Sequence, residues 1–278
     1  MPGRGRDGFV PWLASWNLIA DGDPIHTRGA DLLPVRQAGQ PAMLKLLHEP
    51  EERRGVQLLD WWGGDGAAQV LARDSNGAAL LMERATGTRA LADMARGAED
   101  DEASRILCAT IARLHAPRPG RPPPLKPLAE QFHALAPMAA THGGILTRCA
   151  EIAVELLASP QGVVPLHGDI HHDNVLDFGA RGWLAIDPQG LLGERGFDYA
   201  NIFTNPDLSD PARPVATRPG MFERRLQVVT QASGLPQRRL LQWIVAWTGL
   251  SASWFLGDAD PMASIDLTIA ERAAALLG

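Results

Sequence analysis

The sequence predicts an α+β fold in two parts, a small antiparallel sheet followed by a larger, mainly helical body. Two contrasts carry that expectation. Up to about residue 85, short apolar runs alternate with Gly and Pro turns, the pattern of short antiparallel strands. From Thr88 onward, apolar residues recur at helical spacing instead. The 278 residues are 45% hydrophobic and 21% charged, which describes a folded chain with ample length for a core. The division expected is therefore 1–85 and 86–278.

Residues 1–8 read as a loose leader. Strands are predicted at 32–35, 42–47, 70–72 and 79–82, each a short apolar run bounded by turn residues. One helix interrupts them, residues 51–62, with Val56, Leu59 and Trp62 on one face. Residues 80–87 run from a buried strand into a connection that ends at Gly87. A helix follows from about 101 to 115, with Ile106, Leu107, Ile111 and Leu114 aligned. Residues 117–127 hold six prolines in eleven positions and read as a stiff spacer, with Arg118, Arg121 and Lys126 solvated. Helices at 128–140, bent or broken at Pro137, and at 148–158 lead to a short buried strand at 163–166. Another helix opens within 194–201. Closing helices are expected at 220–233, 238–256 and 263–277, with Trp243, Trp247 and Trp254 in the core. No internal repeat is present.

A formal charge of −6 speaks against nucleic acid as a partner and mildly for a cationic one. Cys108 and Cys149 form no metal or redox spacing, so a reduced, cytoplasmic setting is expected. No signal peptide stands out near the N-terminus, and the uncharged run 243–257 is shorter than the roughly 20 residues a membrane span needs. No membrane association is expected, and a monomer or weak dimer is.

The chemistry is concentrated in His167-Gly168-Asp169-Ile170-His171-His172-Asp173-Asn174 and in Ala185-Ile186-Asp187-Pro188. Carboxylate and amide oxygens are the hard ligands Mg²⁺ takes, together with substrate phosphates. Asp169 and Asn174 are five positions apart, the separation between base and metal-binding Asn in a kinase catalytic loop. A hairpin folded about Ala180-Arg181 sets Asn174 opposite Asp187 and brings both beside Asp169, which reads as a metal-phosphate site. Asp177-Phe178-Gly179 spells a kinase metal motif, but it sits only three residues after Asn174, inside that hairpin. Asp177 is expected to face solvent near the turn. A metallo-hydrolase would need further imidazoles from later strands, and none of the eight histidines lies beyond His172.

Lys45 ends a strand pattern and is the sole lysine in the first 125 residues. A compact ammonium suits nucleotide phosphates, and a helix carboxylate would hold it in place. Glu52 is the expected partner, with Glu49 and Glu51 as competitors.

His-Gly-Asp-x-His-x-x-Asn followed by Ile-Asp resembles the aminoglycoside phosphotransferase and small-molecule kinase family. The run from Leu166 to Phe203 is similar to its streptomycin 6-phosphotransferase and hydroxyurea-kinase branch. The resemblance implies a bilobal, protein-kinase-like fold and an ATP- and Mg²⁺-dependent transfer of the γ-phosphate to a hydroxyl of a small molecule. The acceptor it implies is a cationic aminoglycoside of streptomycin type. Hydroxyurea or another small metabolite is the alternative, and a nucleotide-binding pseudokinase a further one. It implies Asp169 as catalytic base, Asn174 and Asp187 as metal ligands, and Lys45 with Glu52 on the nucleotide. Adenine would be read by the Glu83 carbonyl and the Ala85 N–H, and Asp198 would brace the catalytic loop from behind. A phosphate-covering hairpin is expected within 23–40, yet no G-x-G-x-x-G occurs there. Asp207, Asp210, Asp258, Asp260 and Asp266 are candidates for the acceptor cleft.

Overall fold

The computed structural model describes residues 6–27, 29–48 and 52–278. Most of the predicted leader, and both Glu49 and Glu51, lie outside the described residues. Arg6–Phe9 forms a 3₁₀ turn that buries Phe9 and runs into α1 (Val10–Ser15), so the last residues of the leader are structured.

The first lobe holds β1 (Leu18–Ala20), β2 (Ile25–His26), β3 (Ala30–Gln37), β4 (Gln40–Leu47), α2 (Glu52–Trp62), β5 (Val70–Arg73) and β6 (Ala79–Glu83). The sheet order is β1-β3-β4-β6-β5, with β2 also on β3 and every pairing antiparallel. Period-2 alternation sends Ala42 and Leu44 of β4 into a core with Phe9, Leu33, Val35 and Leu81. Lys45, the next residue, therefore faces the other way, toward α2.

The second lobe opens with α3 (Leu91–Arg96) and α4 (Asp100–Leu114). Next come β7 (Lys126–Pro127), α5 (Leu128–Gln131), α6 (Leu135–His142), α7 (Ile145–Ala158) and β8 (Val163–Leu166). Then follow β9 (Val175–Asp177), β10 (Trp183–Ala185), β11 (Leu191–Glu194) and α8 (Gly196–Ala200). The chain closes with α9 (Met221–Ser233), α10 (Gln237–Gly257) and α11 (Ala263–Leu277). α10 is the axis of this lobe, buried along most of its length against α7, α8 and α11. Trp243 sits in the core, edge-on to Phe197 at 6.0 Å, and its indole N–H donates to Glu194 Oε1 at 2.7 Å. No helix among the described residues is long and apolar enough to cross a membrane.

Three expectations need correction. The helix predicted over 128–140 breaks at Phe132, not at Pro137, which is the third residue of α6, where its missing N–H costs no helical bond. Arg118 is not solvated: its guanidinium donates to the Leu114, Ala116, Asp65 and Arg113 carbonyls and to Asp65 Oδ2. The strand at 163–166, expected to be buried, is β8, one of the two edges of a small sheet β7-β11-β8, with Val163 half exposed.

The lobes are joined by more than the linker. Ala68 N–H donates to Ala185 O and Ala185 N–H to Gly66 O, both at 2.9 Å, so the loop after α2 pairs with β10. Gly87 N–H donates to Asp177 O at 2.9 Å, which ties the linker to β9.

Candidate active site

β8 delivers the chain into the loop 167–174, and Gly168 makes its entry. At φ +87°, with Leu191 against it, that position accepts no side chain. Asp198, on the first turn of α8, holds the loop from behind: Oδ2 accepts His167 N–H at 2.9 Å and Oδ1 accepts Gly168 N–H at 2.8 Å. Burial works against its charge, but the bond from His115 Nε2 at 2.8 Å and the two backbone donors outweigh it. The carboxyl is held below its ordinary pKa. His167 is fully buried and stacks on Trp62. Its Nε2–H donates to Ile186 O at 2.7 Å while Nδ1 accepts Asp169 N–H at 3.2 Å, which fixes one neutral tautomer. Burial pushes its pKa down.

Asp169 is thereby turned outward, its side chain 44% exposed. Two amides hold the residue: Asn201 Nδ2 donates to Oδ1 at 3.1 Å, and Asn174 Nδ2 donates to the Asp169 main-chain carbonyl at 2.7 Å and, more weakly, to Oδ2 at 3.4 Å. Asn205 Nδ2 in turn donates to Asn201 Oδ1 at 2.8 Å. Sequence reasoning missed Asn201 and Asn205, which follow α8 and approach Asp169 only through the fold. His171 Nε2 lies 4.0 Å from Asp169 Oδ1, beyond a hydrogen bond.

The hairpin forms, one residue out of the predicted register. Ala185 pairs with Val175 and Leu184 with Leu176, so Asn174 faces Ile186, whose N–H donates to the Asn174 carbonyl at 2.9 Å. The cause is the turn: Gly179–Arg181 is a 3₁₀ turn, and Gly182 at φ +76° closes it back on Phe178 N–H. Asp187 comes one residue later in a left-handed conformation, φ +60°, uncommon outside glycine. There its Oδ1 meets Lys45 Nζ at 2.5 Å, and the same ammonium lies 3.1 Å from Glu52 Oε2. Lys45 is buried and Asp187 half exposed. Burial of Glu52 pushes its pKa up, and Lys45 pulls in the opposite sense.

Asp177 is half-buried, not open to solvent. Its carboxylate accepts Gly179 N–H at 2.9 Å and packs so closely on Gly87 that a Cβ there would lie 1.9 Å from its Cγ. The Glu83 side chain accepts Gln69 N–H at 2.6 Å and Arg181 at 2.5 Å, while Ala85 is partly buried against the core. Within 23–40, where a phosphate-covering hairpin is expected, the chain turns between β2 and β3 and again between β3 and β4. Thr27 N–H donates to the Ala30 carbonyl at 2.9 Å, and Gly29 abuts Glu52, where a Cβ would lie 2.3 Å from Oε1.

In front of Asp169 opens a cleft of about 460 Å³, within the range of small-molecule sites. Its walls are Gln131, Gln189, Asn201 and Asn205 with Trp247, Trp254 and Phe255. Trp247 is buried in the core as expected, with one edge on the cleft wall, whereas Trp254, also expected in the core, stands 45% exposed on that wall. The five candidate carboxylates do not line it. Asp207 is fully buried and accepts the N–H groups of Val215, Ala216 and Thr217. Asp210 pairs with Arg213 at 2.7 Å, and Asp260 accepts Met262 N–H at 2.9 Å. Asp266 is fully buried, which pushes its carboxyl well above the ordinary range; the Ser251 hydroxyl eases its ionisation without making a well-formed hydrogen bond.

Asn174 and Asp187 fit a hard cation. The Asn174 amide nitrogen is spent on Asp169, which leaves its carbonyl oxygen as an acceptor, and Asp187 offers a half-exposed carboxylate.

Residues 15–259 match the model of the aminoglycoside/hydroxyurea antibiotic resistance kinase family. The chain is 57% identical over 268 residues to a streptomycin 3″-kinase of Klebsiella pneumoniae, covering 95% of this chain and 100% of the relative. It is 31% identical over 271 residues to a streptomycin 6-kinase of Streptomyces griseus, covering 93% of this chain and 86% of that one. Among solved structures it resembles aminoglycoside phosphotransferase APH(4)-Ia with a TM-score of 0.67, covering 98% of this chain and 97% of the other. At 13% identity that likeness speaks for the fold alone, a bilobal kinase-like one.

Proposed function

The chain belongs to the aminoglycoside/hydroxyurea antibiotic resistance kinase family, whose members are small-molecule phosphotransferases, and from that premise we propose a specific reaction for it. It moves the γ-phosphate of ATP to a hydroxyl of a streptomycin-type aminoglycoside. The 57% identity to a 3″-kinase, against 31% to a 6-kinase, favours the 3″ hydroxyl.

The single observation that carries the reading is the convergence of Lys45 on Glu52 and Asp187, beside an Asp169 turned toward an open cleft. Phosphoryl transfer depends on positioning and electrostatics, and few residues are needed. Asp169 orients the acceptor hydroxyl and takes its proton as the new P–O bond forms and ADP departs with the electron pair of the broken one. Asn201 and Asn174 keep that carboxylate aimed. Lys45 supplies positive charge to the nucleotide phosphates, and Glu52 holds Lys45. Glu83 and Ala85 offer backbone groups to adenine at the linker. Asn174 and Asp187 would hold Mg²⁺, which when bound neutralises charge on the phosphates. A cleft of about 460 Å³ is far larger than hydroxyurea needs, which favours the larger acceptor.

The test is an ADP-release screen of the purified protein with ATP and Mg²⁺ over streptomycin, amine-only aminoglycosides, hydroxyurea and simple sugars. Streptomycin should stimulate ADP release, with one phosphate added to the drug by mass. Stimulation by hydroxyurea alone would overturn the acceptor, and stimulation by none would overturn the reaction.

A further inference from the structure

We propose that Trp254 determines acceptor specificity, by stacking its indole face on a planar guanidinium of the acceptor. This rests on the reading above, and it deepens that reading by naming guanidino cations, not amines, as the class the cleft selects.

The first observation is the face that α10 turns to the cleft. Trp247, Ser251, Trp254 and Phe255 are spaced by four, seven and eight residues, which is one stripe of a helix. From Trp243 through Ser253 every residue of this helix is buried; Trp254 then emerges 45% exposed on the cleft wall. A large aromatic ring left in water beside a ligand cleft is a ready contact surface, and Trp is the best of the three rings for a cation.

The second observation is what the cleft lacks. Asp169 is the one carboxylate among its described lining residues, and apart from the His171 imidazole the other polar side chains are amides and hydroxyls, chiefly Gln131, Gln189, Asn205 and Ser209. The nearby acidic residues are spent elsewhere: Asp207 on backbone N–H groups, Asp210 on Arg213, Asp260 on Met262. Asp266 is buried behind the α10 wall.

An ammonium is compact and strongly hydrated, so stacking on a ring costs it more hydration than it costs a guanidinium. A guanidinium is planar and weakly hydrated; it stacks on aromatic faces while its edge N–H groups donate to amide and hydroxyl oxygens. The wall of Trp254, Trp247 and Phe255 with an amide rim matches the second cation and not the first.

The experiment compares wild type, Trp254→Leu and Trp254→Phe. Leucine keeps apolar bulk and helix propensity at an exposed position but removes the π face. Affinities for streptomycin and for an aminoglycoside bearing only amines are measured by titration calorimetry with a non-hydrolysable ATP analogue, alongside KM and kcat. For streptomycin, Trp254→Leu should raise Kd and KM by about 2- to 30-fold, the span of a cation–π contact, with the effect falling on KM more than on kcat. Trp254→Phe should recover part of the loss, and the amine-only ligand should bind weakly and respond little to either change. An unchanged KM in Trp254→Leu overturns the inference, as does an equal loss for both ligands without rescue by Phe. Those results concern Trp254 alone. A wild type that phosphorylates no acceptor instead sinks the phosphotransfer reading, and this inference with it.

Discussion

In α2, Gly55 faces the backbone that follows Asp187: a Cβ built there would lie 1.9 Å from the Pro188 carbonyl oxygen and 3.1 Å from its carbon. Real Cβ contacts do not come below about 3.0 Å, so Gly55→Ala demands a movement of about 3.0 − 1.9 = 1.1 Å. That neighbour is main chain, not the flexible end of a side chain, and so either α2 or the 187–190 segment must shift. Glu52 lies one turn before Gly55 on the same helix. If α2 takes up the movement, the Lys45–Glu52 contact of 3.1 Å lengthens by at most about 1.1 Å, and the full shift would carry it outside ion-pair range. If the segment takes it up, Asp187 moves instead. The stability cost is modest, because overpacking costs about 1–3 kcal/mol while Ala regains up to about 1 kcal/mol of helix propensity. A fall in Tm of less than about 8 °C is expected for a chain of this size. Catalysis should suffer more, since a 1 Å misplacement costs about 10²-fold. The assay is kcat/KM by ADP release, set against Tm by scanning fluorimetry. Activity within about 3-fold of wild type would refute the idea that the packing of α2 on Pro188 sets the nucleotide site.

The other predictions concern single groups. Asp169→Asn should fold and bind ATP by calorimetry yet lose about 10²–10⁴-fold in turnover, and near-normal turnover would remove Asp169 as base. Asp187→Ala should abolish Mg²⁺-dependent turnover, whereas Asp177→Ala, which loses only a turn bond and its packing on Gly87, should stay within a few fold; the reverse order would make Asp177 the ligand. Burial pushes the pKa of both His167 and His172 down, so below about pH 6.5 the unfolded chain binds protons that the folded chain refuses. Each histidine therefore contributes a loss of up to about 1.4 kcal/mol per pH unit between pH 7 and 5, while the buried Asp266, which holds a proton in the folded chain that the unfolded chain releases, contributes in the opposite sense. Urea melts of wild type and His172→Phe check this: the variant should gain stability relative to wild type from pH 7 to 5, and a constant difference between the two would contradict it.

The parts of this molecule legible in its sequence are those in which neighbours along the chain decide the outcome. The strand carrying Lys45 alternates, α2 repeats at helical spacing, and Asp169 and Asn174 lie within one loop, so pattern alone located them. The hairpin register was missed by one residue, because the 3₁₀ turn at Gly179–Arg181 absorbs a position that no pattern of apolar residues reveals. Asn201 and Asn205 carry no local signal; Asn201 reaches Asp169, with Asn205 behind it, only because Asp198, earlier in the same segment, anchors α8 under the loop. Trp254 shares the apolar periodicity of the buried Trp243 and Trp247, and only the three-dimensional packing of α10 separates core from cleft. The acidic residues near the C-terminus misled for the converse reason. Their charge is visible in the sequence, but the N–H groups and arginines that consume it are not.

The account stands most directly on the fate of one phosphoryl group, which ³¹P NMR can follow in wild type and Asp169→Asn side by side. With ATP, Mg²⁺ and streptomycin, the wild-type γ-phosphate signal should give way, one for one, to ADP and a phosphomonoester whose phosphorus couples to the methine proton of a sugar carbon. The Asn variant should hold ATP and leave that signal in place. Inorganic phosphate as the product, or equal ester formation by both proteins, would contradict a transfer to the acceptor directed by Asp169.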